Sequence, residues 1–342
     1  MRKLLLSIFV NISLLAFVSC DVHEWPDSAE LVAVDLRVDF STLMYEWEDG
    51  EVTDSIDVVQ KKGLMRYNIK VYSGFAASRA SAVLVKNVEF TRDLSEGYGC
   101  SYTLELPGGN YTVMVWADLI GDWEDSKPYY NAEDFTAIVL AGAHAGNTDY
   151  RDAFRGVSEI TLETSDEVVP VVVHTVRMER PLAKYEFIAN DFERFLYEEV
   201  QKKYKTPLFG SVDEMANRVG LDGYKAVFYY SGFMPCEYNM FIDKPVDSKL
   251  GVLFESKIVK SSMTEAKLGF DYVFVNGASA SVPVQIGIYD EDGELVSLTS
   301  PINVPLKRNH HTLIRGAFLL QQASGGILIQ PGFDGEHNVI VP

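Results

Sequence analysis

The chain has 342 residues, 47 % of them hydrophobic, and a formal net charge of −19. Nucleic acids and anionic lipid headgroups are both negatively charged, so the charge argues against either as a ligand of the folded part. The hydrophobic content is ample for buried cores, and the length favours two domains over one.

The first twenty residues have the pattern of an export signal. Arg2 and Lys3 precede the almost wholly apolar run Leu4–Val18, which is too short for a comfortable transmembrane helix. The run ends at Ser19 and Cys20 and resembles the bacterial lipobox. The resemblance implies cleavage after residue 19 and lipidation of Cys20, whose acyl chains would anchor the protein in membrane lipid. The alternative is an ordinary signal peptide, with Cys20 left as a disulfide partner.

Residues 20–30 are polar, acidic and contain Pro26, which is typical of a tether. The first strand is predicted at Leu31–Phe40, because apolar and charged residues alternate there. Its apolar face would carry Val34, Leu36, Val38 and Phe40.

Further short alternating runs follow, separated by clusters of glycine, proline, asparagine and aspartate. Many short strands without intervening helices predict an antiparallel β-sandwich, which we assign to residues 31–179. Its other strands are expected at Arg66–Ser73, Ala82–Phe90, Cys100–Leu106, Asn110–Ala117, Thr136–Leu140, Val157–Leu162 and Val168–Arg177.

The pattern restarts near Arg180, which predicts a second β-sandwich over residues 180–342. Helical spacing of apolar residues, and a capping box at Ser211 and Glu214, predict a short helical insertion near 190–204 and 211–219. Strands are expected at Ala183–Ala189, Tyr224–Tyr230, Tyr238–Ile242, Gly251–Ser256, Lys267–Val275, Val282–Tyr289, Glu294–Leu298, Thr312–Leu320, Gly326–Ile329 and His337–Val341.

No catalytic signature is found: the sequence lacks a GxSxG elbow, an HExxH pair, a GxGxxG fingerprint and a phosphate-binding loop. Cys100 and Cys236 lie in different predicted domains and are expected to be buried and unpaired. We therefore predict a protein that is not an enzyme and has no cofactor and no metal site. A hydrolase using two of the many carboxylates is the weakest alternative.

Six segments carry a family resemblance: Cys20–Pro26, Leu106–Asp118, Asn147–Phe154, Tyr229–Pro235, Val304–Thr312 and Pro331–Gly335. Together they resemble the fimbrillin-like and fimbrial-anchor surface lipoproteins of Bacteroides-type bacteria. The resemblance implies two transthyretin-like sandwiches in tandem on a lipoprotein of the outer membrane, exposed at the cell surface. Its motifs are structural, so they specify architecture better than activity.

The resemblance also implies assembly by strand exchange with other pilus subunits. Stalk subunits of such pili are cut after an arginine near the N-terminus, which removes the first strand. Here no arginine or lysine lies between Cys20 and Leu36, and Arg37 falls inside the first strand. An anchor or accessory role is therefore favoured. The expected strand-exchange edges are carried by Leu31, Val34, Leu36, Val38, Phe40, Val339 and Val341.

A surface glycan-binding lipoprotein is the main alternative. Aromatic rings stack on sugars, and Trp123, Tyr129 and Tyr130 lie close together in a predicted loop. This alternative requires the three rings to be exposed and coplanar. Nearby acidic residues, including Asp118 and Asp122, are interpreted as a solvated loop because calcium-loop spacing is absent.

Overall fold

The structure is a computed structural model and describes residues 31–41, 62–76, 78–164, 171–205, 210–277 and 279–320, with the backbone of 337–340. The predicted signal peptide 1–19, Cys20, the tether to residue 30, the strand predicted at Gly326–Ile329 and Val341 lie outside these residues. Among the described residues no helix is long and apolar enough to cross a membrane.

The predicted fold class is confirmed: the chain is mainly β, with antiparallel sheets and two short helices. The strands of the N-terminal half are β1 Leu31–Asp39, β2 Leu64–Ser73, β3 Val83–Asp93, β4 Cys100–Pro107, β5 Gly109–Ile120, β6 Tyr130–Asn131, β7 Ile138–Leu140, β8 Ala153–Leu162 and β9 Val172–Arg177.

The C-terminal half begins with β10 and then carries both helices. Its elements are β10 Leu182–Ala189, α1 Phe192–Tyr204, α2 Val212–Val219, β11 Lys225–Tyr230, β12 Met234–Asn239, β13 Lys244–Lys249, β14 Leu253–Lys257, β15 Val259–Lys260, β16 Ala266–Phe274, β17 Ser279–Tyr289, β18 Leu295–Leu298, β19 Ile302–Lys307, β20 His311–Gly316 and β21 His337–Ile340.

The two halves repeat one strand topology. In the N-terminal half the sheet β4-β1-β9 packs on the sheet β3-β2-β5-β8, and β1 is antiparallel to β4 but parallel to β9. In the C-terminal half β10 is likewise antiparallel to β16 and parallel to β20, while β14-β11-β17-β19 matches β3-β2-β5-β8. We call the two repeats the N-terminal unit and the C-terminal unit.

Each unit has its own buried core, because alternate residues of both sheets point inward. The N-terminal core includes Leu36, Tyr67, Val115 and Phe154. The helices add to the C-terminal core through Phe195 and other apolar residues on one face.

Local sequence explains where α2 begins and ends. The Ser211 hydroxyl accepts the Glu214 N–H at 3.2 Å, and the Glu214 carboxylate accepts the Ser211 N–H at 3.0 Å, which is the predicted capping box. Gly220 ends the helix with a φ of 76°, a left-handed conformation that glycine adopts without strain.

A fifth sheet joins the units, in the order β13-β12-β7-β6. Its two halves come from insertions, β6–β7 between β5 and β8 of one unit and β12–β13 between β11 and β14 of the other. Beneath it lies a third core, in which the Trp116 ring contacts Tyr130 at 5.5 Å and Tyr238 at 6.3 Å between centroids. The units are therefore held together by shared backbone pairing and by a shared apolar core.

One predicted strand was misplaced, and the strands β6, β13, β15 and β19 were not predicted. The strand expected at Tyr238–Ile242 ends at Asn239, because the Asn239 side chain accepts the N–H groups of Phe241 and Ile242 and turns the chain. The strand β19 was missed because it contains Pro305, which lacks the N–H that a central strand needs.

Gly63, just before β2, is a position that only glycine fits. Its φ is 125°, and a Cβ built there would lie 2.2 Å from the Ile120 carbonyl oxygen. Gly63→Ala is therefore expected to destabilise the protein by about 2–4 kcal/mol, from strain and overlap together. Gly74→Ala is the matched control, since its φ is 77° but a Cβ would meet nothing within 4 Å; it should cost about 1 kcal/mol. Equal losses in urea unfolding would contradict the clash.

Candidate strand-assembly site

The N-terminal strand β1 is fully built into its sheet. It pairs with β4 from Leu31 to Val38 and with β9 from Val34 to Asp39, so both of its edges are hydrogen-bonded. The predicted edge at Leu31–Phe40 is therefore wrong as an edge, because a third strand, β9, returns in parallel on the far side of β1. The strand occupies a groove between β4 and β9.

Side chains of β1 fill this groove. Val32, Val34, Leu36, Val38 and Phe40 are all buried, whereas Leu31 is exposed. Burial of one such side chain contributes about 1.5–3 kcal/mol. Five of them together are comparable with the net stability of a whole domain, about 5–15 kcal/mol. Removal of β1 would therefore leave a groove that needs another apolar strand.

Additional contacts hold the C-terminal end of β1. The Phe40 ring makes edge contacts with Tyr98 at 5.6 Å and with Phe154 at 5.1 Å. The Met178 N–H donates to the Asp39 carbonyl at 2.8 Å. Hydrogen bonds from Ser41 outweigh burial and lower the pKa of Asp39. This end lies where the chain passes into the C-terminal unit.

The C-terminal strand β21 stands at the end of its sheet, next to β20. It runs parallel to β20, with His337 opposite Thr312 and Val339 opposite Ile314. The topological repeat makes β20 the counterpart of β9. Among the described residues β9 has no such additional neighbour, so β21 is an added strand with no equivalent in the N-terminal unit.

Arg37, in the middle of β1, is paired through its backbone with Ser101 and Thr175. Its side chain is on the solvent face, 3.1 Å from the Asp35 carboxylate. A protease needs the chain extended and free, so trypsin acting on the folded protein is expected to leave the bond from Arg37 to Val38 intact. Mass analysis of the native digest checks this, with the heat-unfolded chain as the control that is cut. Release of Val38 as a new N-terminus from the folded protein would contradict it.

The three aromatic residues proposed for glycan binding do not form one surface. Tyr130 is buried, with its hydroxyl donating to the Arg151 carbonyl at 2.7 Å. Trp123 is 47 % exposed and its ring meets the Tyr150 ring edge-on at 5.0 Å. The predicted platform was wrong for Tyr130, because that residue opens β6 and packs on Trp116 beneath the fifth sheet.

One residue of the acidic loop predicted after β5 is not solvated. Asp118 is buried and accepts two hydrogen bonds from Arg66, at 2.8 and 2.6 Å, so it belongs to the packed sheet face and not to solvent. Among the described residues no group of three His, Cys, Asp or Glu side chains could hold a metal ion. Within the same residues Cys100 and Cys236 are buried and form no disulfide.

A buried ion pair crosses between the units. Arg151 of the N-terminal unit donates to the Asp271 carboxylate of the C-terminal unit, and to the Tyr272 carbonyl at 3.0 Å. The Tyr230 hydroxyl donates to the same carboxylate at 2.6 Å, and His144 Nε2 lies 2.7 Å from it. Burial opposes ionisation of Asp271, but the Arg151 charge and these hydrogen bonds outweigh it and lower its pKa.

Two further groups of polar contacts surround this pair. Arg180 donates to both oxygens of Asp152 and to the Asn309 side chain at 3.0 Å. Lys184 Nζ donates to Asp149 at 2.9 Å. Each contact joins residues from different units or from the connection between them, so they fix the relative orientation of the units.

A third contact lies at the turn of the β12–β13 hairpin. Arg308 donates to both carboxylate oxygens of Asp243, at 2.8 and 2.5 Å, and Arg155 of β8 lies 3.2 Å from the same carboxylate. The hairpin is thereby held against both units.

Sequence reasoning did not identify these residues as a network. A signal was present, because three of the segments that carry the family resemblance contain them: Asn147–Phe154 holds Asp149, Arg151 and Asp152, Tyr229–Pro235 holds Tyr230, and Val304–Thr312 holds Arg308 and Asn309. These three segments therefore lie at the contact between the units.

Comparison with known proteins gives likenesses of architecture. The fimbrial anchor protein Mfa2 from Porphyromonas gingivalis is similar at 13 % identity, over 78 % of this chain and 82 % of that one, with a TM-score of 0.40. A fimbrial assembly protein from Parabacteroides distasonis is similar at 14 % identity, over 85 % and 92 %, with a TM-score of 0.36. A proposed polysaccharide-binding protein from Bacteroides thetaiotaomicron is similar at 12 % identity, over 78 % and 79 %, with a TM-score of 0.41.

A fimbrial anchor protein and a fimbrial assembly protein are therefore among the solved structures to which this chain is similar. These likenesses carry no functional argument of their own. No curated protein matches the sequence. Residues 29–342 match a family described as a family of unknown function, DUF6562, and because the match spans nearly the whole chain, the protein belongs to that family.

Proposed function

We propose that this protein is a non-enzymatic lipoprotein of the outer-membrane surface and serves as an anchor or accessory subunit of a fimbria. In this proposal Cys20 carries the lipid, and contacts with other pilus subunits are made by strand pairing. The lipobox-like end of the signal segment supports the membrane attachment.

The observation that carries the proposal is the position of β1. A subunit that accepts a donor strand must first lose its own strand and open the groove. Here β1 fills the groove, paired on both sides, with five apolar side chains buried. A chain in this state is closed to a donor strand in its N-terminal unit, as expected of a terminal subunit that is held at the membrane.

In this proposal the C-terminal unit supplies the strand for assembly, β21. β21 lies at the end of a sheet, and strands at a sheet edge present unpaired backbone groups to a neighbour. β21 pairs in parallel with β20 over only four residues. A strand from another subunit could therefore replace β21, or could pair along its outer edge.

Intact-mass analysis of the protein purified from its native outer membrane tests the proposal. We expect a chain that begins at lipidated Cys20, includes β1 and is not cut after Arg37. The control is a Cys20→Ser variant, which should lose the lipid mass and leave the membrane fraction. A mature chain beginning at Val38 would contradict the anchor role and indicate a stalk subunit. An unlipidated Cys20 would contradict the membrane attachment.

A further inference from the structure

Six chain segments begin or end at one end of the N-terminal unit. Leu31 is paired with Pro107, and Gly109 with Leu162. Ser73 is paired with both Tyr111 and Val83, which brings the end of β2 and the start of β3 to the same place. The start of β9 lies there too, beside β1. We call this surface the tether end; it comprises residues 31–33, 73–76, 78–85, 106–110, 160–164 and 171–173.

Exposed apolar side chains are concentrated at the tether end. Five of them are clearly open to solvent: Leu31 at 55 %, Phe75 at 50 %, Val83 at 65 %, Leu84 at 43 % and Val85 at 45 %. Val171 and Val173, at 58 % and 53 %, continue the surface along β9. Scattered exposed apolar residues need no explanation, but a patch at one end of a soluble unit marks a contact surface.

Charged side chains are sparse at the same end. Its described residues include Arg79 and Glu163 as the only charged side chains, whereas 23 % of the whole chain is charged. An apolar surface that also lacks charge loses little solvation when it leaves water. This composition fits an apolar or zwitterionic partner better than an acidic or basic one.

The tether end is also where the proposed lipid anchor enters the fold. Ten residues, 21–30, separate Cys20 from Leu31. A chain of this length spans at most roughly 36–40 Å when fully extended. A lipid on Cys20 would therefore hold the tether end close to the bilayer surface at high effective concentration.

We propose that the tether end rests on the outer leaflet of the membrane, with Phe75 and the Val83–Val85 segment inserted at the headgroup boundary. The inference rests on the proposed lipidation of Cys20 and adds a second, non-covalent contact to it. One shallow apolar contact and one lipid anchor reinforce each other, because each raises the local concentration of the other. The contact would also orient the C-terminal unit, since the fifth sheet joins the two units.

Site-specific fluorescence tests this contact. The full chain, lipidated in cells, is reconstituted into phosphatidylcholine vesicles with a polarity-sensitive fluorophore on a single introduced thiol. Phe75→Cys and Val83→Cys report on the tether end. Phe233→Cys is the matched control, because Phe233 is 64 % exposed and lies in the C-terminal unit. Cys100 and Cys236 are buried, and the unsubstituted protein measures any labelling of them.

We expect the labels at positions 75 and 83 to emit at shorter wavelength than the label at 233 and to be protected from iodide in the water. Equal emission and equal quenching at all three positions, in a protein that floats with the vesicles and carries lipid on Cys20, would overturn the contact and leave the anchor intact. A shift at position 233 as large as at 75 would overturn it in favour of non-specific adsorption. Absence of lipid on Cys20 would overturn both the anchor and this inference.

Discussion

Asp271→Asn is expected to lower the free energy of unfolding by about 3–5 kcal/mol, because it leaves the Arg151 guanidinium buried without a counter-charge. Asparagine keeps the size of the side chain, so packing is little changed. The Arg151 side chain is 2 % exposed and cannot turn to solvent without opening the contact between the units. Urea unfolding of the mature chain measures the loss.

Glu255→Gln is the control for this variant. It removes the carboxylate that pairs with Lys225 at the surface. The Lys225 side chain is 41 % exposed and the Glu255 side chain 56 %. Such exposed pairs contribute at most about 1 kcal/mol. A pH series adds a check on sign. Because the pKa of folded Asp271 is lowered, its stabilisation is complete above the unfolded value of 3.8 and is lost as the pH falls through the folded value. Wild type and variant should therefore converge in acid. A loss no larger than that of Glu255→Gln would show that the pair does not hold the units together.

Trp116→Ala is expected to destabilise the protein by about 3–5 kcal/mol, since it removes the largest side chain that is fully buried among the described residues. The ring packs between Tyr130 of one unit and Tyr238 of the other, and its Nε1 donates to Asp118 at 3.2 Å. The cavity would therefore open in the core that the units share. Both units should respond in one transition, measurable as a coincident shift of far-ultraviolet circular dichroism and tyrosine fluorescence.

Trp123→Ala supplies the matched control, because Trp123 is a tryptophan of the same unit with half of its surface exposed. Its loss is expected to cost no more than about 1 kcal/mol. Two separate transitions in Trp116→Ala, with only the N-terminal unit destabilised, would mean that the third core does not couple the stabilities of the two units.

Much of this fold is readable from local pattern. Strict alternation at Leu31–Phe40 predicted β1, and the capping box at Ser211 with the apolar spacing that follows predicted α2. The fifth sheet was not predicted, because its strands come from two insertions that are distant in sequence. β6 has only two residues, too few for alternation to be visible, whereas β7 lies inside the strand predicted at Thr136–Leu140. The pairing of β7 with β12 is a property of the assembled units.

The candidate site was predicted in part, for a related reason. The apolar row of β1 was evident, and all of Val34, Leu36, Val38 and Phe40 are buried. The pattern could not reveal that β9 returns alongside β1, since pairing partners are set by the path of the chain. Arg151 and Asp271 are harder still: charged residues are ordinarily exposed, and nothing local distinguishes a pair buried between two units.

The strand-pairing role is tested most directly by the behaviour of the native assembly on denaturing gels. Protein tagged at a tolerated surface position would be purified from the membrane fraction of its native cells and run boiled and unboiled. Strand-paired subunits resist detergent until heated, so the account predicts a ladder of larger species that contains this chain and collapses to the monomer on boiling. A lone monomer in both lanes, with no co-purifying subunit, would contradict the fimbrial role.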